Sequence, residues 1–377
     1  MSIVISVIIG LLCLTFLVAF HEAGHFIAAK LCGVKVESFS IGMGPILLHK
    51  NYRNTDYRIS LFPIGGYCGM KGEQDFQKAV ELNLKEINAE PDSFYGIHPL
   101  KRAFIAFAGP FANFIFAVIS FTIIAIIGYT YYSASAKVLM ADSVYEGMTS
   151  VAHKAGMQDG DIITAINGEA VLDFSDIVTI VSTHPDEIIT VDVERDGEKL
   201  SFSMKTALNK ETGGGVIGVV SNPDTIEERQ SKRYSFFPAI LHGVKETTKM
   251  CRATVVGIIT LFKGVKVSSA VSGPARITTM LGDTVKASFK ASLHAGIVNT
   301  LEFMALISVS LFMMNLLPIP VLDGGLILAA IVEFVLRRKL SPLLLYRIQI
   351  IGIAFIACLF LIAIYGDIHY FTSSFRR

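Results

Sequence analysis

Five residues near the N-terminus, His21-Glu22-Ala23-Gly24-His25, have the types and spacing of a metal-dependent hydrolase. Two imidazoles four residues apart share one face of a helix and can grip a single Zn²⁺. The carboxylate beside the first is placed to take a proton from water activated by that ion. The setting narrows the chemistry. From Met1 to Phe20 no side chain is charged, and apolar residues continue through Phe26-Ile27-Ala28-Ala29 to Lys30. Such a run can cross a bilayer, which takes about 20 apolar residues. Two imidazoles and a carboxylate are costly in hydrocarbon, so they face protein or a water-filled pocket when they occur there. The spacing therefore predicts a hydrolytic zinc site inside a membrane helix, suited to cutting peptide within or at the edge of the bilayer. Histidines that only pack helices together are the competing reading, and their cost in the membrane counts against it.

A catalytic zinc takes three protein ligands and leaves one position for water. The best remaining intramembrane candidate is Asp323, in Asn315-Leu316-Leu317-Pro318-Ile319-Pro320-Val321-Leu322-Asp323-Gly324-Gly325. Two prolines break a helix there, and broken helices occur in membranes where the backbone lines a cavity or is enclosed by protein. Asp323 can act as the third ligand, or it can cap the helix that starts at Gly324.

Composition fits an integral membrane protein. Of 377 residues, 52% are hydrophobic and 17% charged, against about 25% charged in a soluble domain. A net charge of +1 gives no footprint for nucleic acid. The five cysteines form no CxxC pair, which argues against a thiolate zinc site and a disulfide framework. The N-terminal run lacks a basic leader and is longer than a signal-peptide core, so it reads as a span.

The expected architecture is an α-helical polytopic membrane protein. It has four transmembrane helices, a membrane-associated β-hairpin region and one inserted α+β PDZ-like domain. Residues 1–32 hold the first helix and HExxH. Residues 33–100 form a cytoplasmic, membrane-dipping β region, with alternating strands at Val34–Phe39 and Tyr57–Phe62, a turn at Gly65-Gly66, a return strand at Tyr67-Cys68-Gly69-Met70, and a polar, mobile loop from Glu73 to Phe94. Residues 101–133 hold the second helix, and residues 137–220 a soluble module. There, His153–Ile163 resembles the helix-to-strand corner of bacterial PDZ domains. Lys245, Glu246, Lys249 and Arg252 forbid a fifth span, so residues 221–295 read as amphipathic membrane-proximal helices. Residues 296–336 carry the third helix and the Leu-Asp-Gly segment, and residues 343–366 the fourth. Lys30, Lys101, Arg102, Arg337, Arg338, Lys339 and Arg347 flank two short connections and place both in the cytoplasm. A metal at His25 then lies about 7–8 Å below the cytoplasmic end of its helix.

Together these pieces resemble the site-2 protease family of intramembrane zinc metalloproteases, most closely bacterial RseP-type regulators. The resemblance covers almost the whole chain. It rests on HExxH, on Gly65-Gly66-Tyr67-Cys68-Gly69-Met70-Lys71-Gly72-Glu73, on Ala108-Gly109-Pro110-Phe111-Ala112-Asn113, on the PDZ-like insert, on Ser272-Gly273-Pro274 and on Asn-x-x-Pro-x-Pro-x-Leu-Asp-Gly at 315–324. It implies His21, His25 and Asp323 as ligands of a Zn²⁺ cofactor, Glu22 as catalytic acid/base and Asn315 as a substrate contact. It also implies a bacterial inner membrane, with the active site near the cytoplasmic face and the PDZ-like domain outside. The implied substrate is a single-pass membrane protein first trimmed by another protease, such as an anti-sigma factor, or a leftover signal peptide. Strand addition to the hairpin near residues 57–70, with Tyr57, Ile59 and Leu61 as contacts, is expected to hold that substrate extended. The better-known enterobacterial relatives carry two PDZ-like modules, whereas residues 137–220 have room for one. No carboxylate-binding loop is evident before Val144, which favours steric gating. The rival readings are a non-enzymatic adaptor that recruits partners through the PDZ-like domain, and a zinc transporter, which would want polar residues at several depths.

Overall fold

A computed structural model of the chain describes residues 2–261, 263 and 273–374. The expected features at Ser272 and within 264–271 lie outside the described residues. Among those described, four helices are long and apolar enough to cross a membrane: Val4–Cys32, Pro99–Ile127, Leu293–Asn315 and Pro342–Ile368. The charged helix Phe236–Leu261 is not one of them. The chain divides into two compact units, one of residues 1–124, 235–247 and 272–377, the other of 125–234 and 248–271.

The first unit opens with α1 (Ser2–Cys32), an unbroken apolar helix. Strands β1 (Val36–Tyr52) and β2 (Thr55–Met70) follow. Their turn is Arg53-Asn54, both at positive φ, the backbone that a two-residue hairpin turn of matching twist requires. Gly65-Gly66 is not the turn expected there; it lies inside β2. Ile46, Leu47, Leu48, Phe62 and Ile64 expose apolar side chains on this hairpin.

The polar stretch after β2 forms a helix, α2 (Glu73–Glu81), where a mobile loop was expected. Its few apolar residues recur at helical spacing: Ala79 is buried and Phe76 stacks on Tyr95 with ring centroids 5.5 Å apart. Lys71 ties the returning chain down through Glu90 at 2.6 Å and Asp92 at 2.7 Å.

Helix α3 (Pro99–Ile127) contains Pro110. The second unit then holds β3 (Thr130–Ser133), β4 (Val138–Met140), the short helices α4 (Ala141–Val144) and α5 (Val151–Lys154), β5 (Ile162–Ile166), β6 (Glu169–Ala170), α6 (Phe174–Ser182), β7 (Ile188–Arg195), β8 (Glu198–Lys205), β9 (Ala207–Leu208), β10 (Gly215–Val216), β11 (Val219–Ser221) and β12 (Glu227–Gln230). Its main sheet has the order β6-β5-β7-β8. Ile189, Val191 and Val193 of β7 point alternately inward, the period of a half-buried strand. They meet Ile177 and Ile180 of α6 and Val138, Met157 and Ile163. Pairing of β3 with β12 carries the unit beyond residues 137–220 at both ends. Its glycine-rich stretch, Gly213-Gly214-Gly215, comes after α6 in the chain and not before Val144. There a groove of about 590 Å³ is lined by Ile177, Val181, Gly214 and Ile217 among others.

One ion pair anchors this module. Asp161 is buried, and the Arg195 guanidinium grips it with Nε at 2.7 Å and Nη2 at 2.8 Å. Burial alone would raise the Asp161 carboxyl, but Arg195 and the Gln158 N–H hold it below the usual carboxylate range. A depressed carboxyl stabilises the fold above the unfolded value of about 3.9, and that stability is lost as pH falls through the lowered value. Protection of β5 and β7 amides from hydrogen exchange, taken relative to the intrinsic exchange rate at each pH, is therefore expected to fall below about pH 4. Arg195→Ala, which leaves this carboxylate without its counter-ion, is expected to destabilise the module at neutral pH. Exchange in this variant equal to that of the native chain at pH 7 would contradict the assignment.

Helix α7 (Phe236–Leu261) has residues 236–247 in the first unit and 248–261 in the second, and the first unit continues with α8 (Pro274–Ala291), α9 (Leu293–Asn315), α10 (Asp323–Leu336) and α11 (Pro342–Ser374). Buried Asp367 of α11 accepts from the N–H groups of Gly273, Ala275 and Arg276 at 2.9–3.2 Å. A carboxylate borrowed from another helix thus satisfies the orphan donors that open α8. Leu17, Phe116, Leu281 and Met304 join α1, α3, α8 and α9 in one core cluster.

Candidate metal centre

The helical spacing of α1 brings His21 and His25 to one face, and the break between α9 and α10 brings Asp323 to them. His21 Nε2 lies 3.2 Å from Asp323 Oδ2, and His25 Nε2 lies 3.3 Å from Oδ1. The two Nε2 atoms are 3.2 Å apart. All three side chains offer a ligand atom within 4.8 Å of the others. Asp323 is the first residue of α10, one position past the N-cap Leu322, and its carboxylate is turned to the imidazoles.

Two features let these groups approach. A Cβ at position 109 of α3 would fall 2.2 Å from His25 Nε2, so only glycine lets the helix pass this imidazole. A Cβ at position 324 would fall 2.2 Å from the Leu317 carbonyl oxygen, so the Pro-x-Pro break can fold tightly over the start of α10. Within that break Val321 has φ 91°, a strained conformation for a β-branched residue. Strain of this kind persists where its surroundings enforce it and gathers at functional sites.

The surrounding polar atoms test whether a metal fits. His25 Nδ1 lies 2.8 Å from the Ile105 carbonyl oxygen. A carbonyl only accepts, so the proton is on Nδ1 and the Nε2 lone pair faces the centre. His21 Nδ1 is 3.1 Å from the Asn113 side-chain amide. Asn113 is fully buried, and its Oδ1 has no hydrogen-bond partner. The two ends of an amide are assigned from the network around them. Turned by 180°, the orphaned Oδ1 accepts from His21 Nδ1–H, and the His21 Nε2 lone pair also faces the centre. Two imidazole nitrogens and a carboxylate, both rings held from behind, form the donor set of a catalytic zinc site.

The centre opens into a cavity of about 910 Å³ that Glu22, Asn315, Tyr67 and Tyr346 help to line. Glu22 accepts a hydrogen bond from the Cys68 backbone N–H. One wall thus carries the metal-type ligands with a free carboxylate beside them, and another carries the end of β2.

The profile of peptidase family M50 matches residues 9–359. The chain belongs to peptidase family M50, the family of the site-2 proteases. Similar proteins include one from Treponema pallidum, named "Putative zinc metalloprotease", which is 36% identical with 97% of this chain and 99% of the relative covered. A Campylobacter jejuni protein of the same description is 32% identical over 95% of this chain and 91% of its own length. One from Agrobacterium fabrum is 33% identical, covering 88% and 87%.

In this M50 chain His21, Glu22, His25, Asn315 and Asp323 meet in one cavity. Tyr57, Ile59 and Leu61 do not line it. Tyr57 packs against Phe26 and Phe39, while Ile59 and Leu61 are exposed away from the centre. The register gives the reason. Tyr57 pairs with both Phe39 and Lys50, so that part of β2 is flanked on two sides, whereas Gly66–Met70 pairs with β1 on one side only among the described residues. The edge beside Glu22 is therefore the far end of β2. The return strand expected at Tyr67–Met70 is the part of the hairpin that lies at the cavity, whereas the sequence pattern did not point to α2 or to the roles of Gly109 and Ile105. Asn113 gave one signal, an amide in an otherwise apolar span.

Proposed function

We propose that the chain is a zinc endopeptidase that hydrolyses peptide bonds in the transmembrane segments of single-pass membrane proteins. The observation that carries this reading is the convergence of His21, His25 and Asp323, with Glu22 alongside, in a cavity among membrane-length helices. Zn²⁺ held by these three residues would acidify water and polarise the scissile carbonyl. Glu22 takes the proton of the attacking water and returns it to the leaving amine. A substrate helix hides its carbonyls in hydrogen bonds, so it must unwind to react. The open edge at Gly66–Met70 offers backbone groups to an extended segment, and the Cys68 N–H already faces the centre. Asn315, at the cavity wall, bonds the exposed substrate backbone. Proline at Cys68 is expected to abolish cleavage while zinc content stays unchanged; undiminished cleavage would remove the edge from the mechanism.

The wider reading keeps a bacterial inner membrane with the metal near the cytoplasmic face, which the basic connections support. The second unit then acts outside as a PDZ-like module that limits access by size. Suitable substrates are single-pass proteins already trimmed by another protease, such as an anti-sigma factor, or remnant signal peptides. The test is to incubate the purified chain with a tagged single-pass protein whose ectodomain is either intact or removed, and to map products by mass spectrometry. Zinc-dependent cleavage inside the apolar segment, faster after trimming, is expected. Cleavage confined to soluble regions would overturn the intramembrane reading, and no cleavage at all would leave the adaptor reading.

A further inference from the structure

At the end of the membrane bundle where α3 begins and α10 ends, segments 95–102 and 333–339 enclose a second cavity of about 530 Å³. Its charged and titratable groups are Arg102, Arg337, Arg338, Lys339 and His98, against one carboxylate, Glu333. Four basic side chains against one acid leave an excess of three positive charges with His98 neutral. The acid is already engaged. Glu333 is buried, accepts from the Arg102 guanidinium, and accepts from the Leu340 N–H at 2.9 Å. It therefore holds the basic turn against α3 and has little capacity left to neutralise it.

Arg102 is only 8% exposed, and its Nε has no hydrogen-bond partner. Arg337, Arg338 and Lys339 are exposed and form no ion pair among the described residues. Phe334, Val335, Leu336 and Leu344 expose apolar side chains beside them. A basic connection that only sets orientation on insertion needs neither a cavity nor a buried ion pair clamping it in place. A cationic hollow rimmed by exposed apolar side chains matches an amphiphile with an anionic head.

We infer that this cavity binds the phosphate of an anionic phospholipid headgroup. Arg337 and Arg338 supply planar guanidinium donors suited to phosphate oxygens, and the acyl chains lie along the exposed apolar side chains. The site bridges two elements of the metal centre. Arg102 lies one turn before Ile105, whose carbonyl holds His25, and α10 begins at Asp323. A bound headgroup thus braces α3 against α10 and couples lipid composition to the geometry of the centre.

The experiment uses the full chain, delipidated in a neutral detergent, with native mass spectrometry and thermal unfolding as readouts. The probes are phosphatidylglycerol, phosphatidylcholine and inorganic phosphate. Phosphatidylglycerol is expected to bind one per chain about tenfold more tightly than phosphatidylcholine and to raise the unfolding temperature. The combined Arg337→Ala, Arg338→Ala and Lys339→Ala variant is expected to lose that preference with zinc content unchanged. Arg338→Gln, a single change on an exposed side chain, is expected to lose it several-fold and guards against a misfolded triple variant. Equal affinity for both lipids, or an undiminished preference in the variants, would overturn the site. Equal protection by inorganic phosphate would make it a free-phosphate site and overturn the lipid assignment.

Discussion

Glu22→Gln is expected to lower peptide-bond hydrolysis by at least about 10³-fold while the chain keeps one zinc, because a general base contributes roughly 10²–10⁴ and here the same group also returns the proton. The substitution preserves shape, and the amide oxygen still accepts from the Cys68 N–H. What it removes is the capacity to hold a proton. The metal-type ligands are untouched, since His21, His25 and Asp323 contact one another without Glu22. Asp323→Ala should behave differently, losing metal and activity together, because a carboxylate is one of only three protein donors. Cleavage of a single-pass substrate and zinc content, measured on the same preparations, check both. Native-level cleavage by Glu22→Gln would remove Glu22 from the reaction.

The contrast between these variants follows the parts of the site that the sequence made legible. HExxH is local: a four-residue spacing on one helix needs no knowledge of the fold. Asp323 lies about 300 residues away, yet the cost of a carboxylate in the bilayer, beside two prolines, singled it out. The β region was harder to read. Alternation at Tyr57, Ile59 and Leu61 identifies a strand but says nothing of which edge is open, and the register shows that this stretch is flanked on both sides. Gly65-Gly66 reads as a turn by composition, whereas Arg53-Asn54 makes the turn with both residues at positive φ, a backbone that asparagine tolerates and that arginine gives no sequence signal for. Helix α2 was hidden by its polar majority; the helical spacing of Phe76 and Ala79 is too short a signal by itself, and their tertiary contacts order the segment.

Asn113 is the clearest case of a residue whose role only the fold shows, and its substitution tests the metal centre without touching a ligand. Asn113→Ala is expected to weaken zinc binding by about 10- to 100-fold, the usual effect of removing the group that orients a metal-binding histidine. Its backbone is fixed independently, since the Ser308 hydroxyl donates to the Asn113 carbonyl at 2.9 Å, so the helix should stay in place when the amide is lost. Asn113→Asp separates the two orientations of the amide. If Oδ1 accepts from His21 Nδ1–H, a carboxylate does the same more strongly, and zinc affinity is kept or increased. If the site instead needs the amide nitrogen as a donor to Nδ1, aspartate, which only accepts, cannot replace it and weakens the site as alanine does. Competition with a chromophoric chelator measures zinc affinity directly and needs no substrate. Retention of zinc by aspartate and its loss by alanine are the expected pair. Equal weakening by both would assign the proton to His21 Nε2, which would then have to be displaced before the imidazole could bind metal.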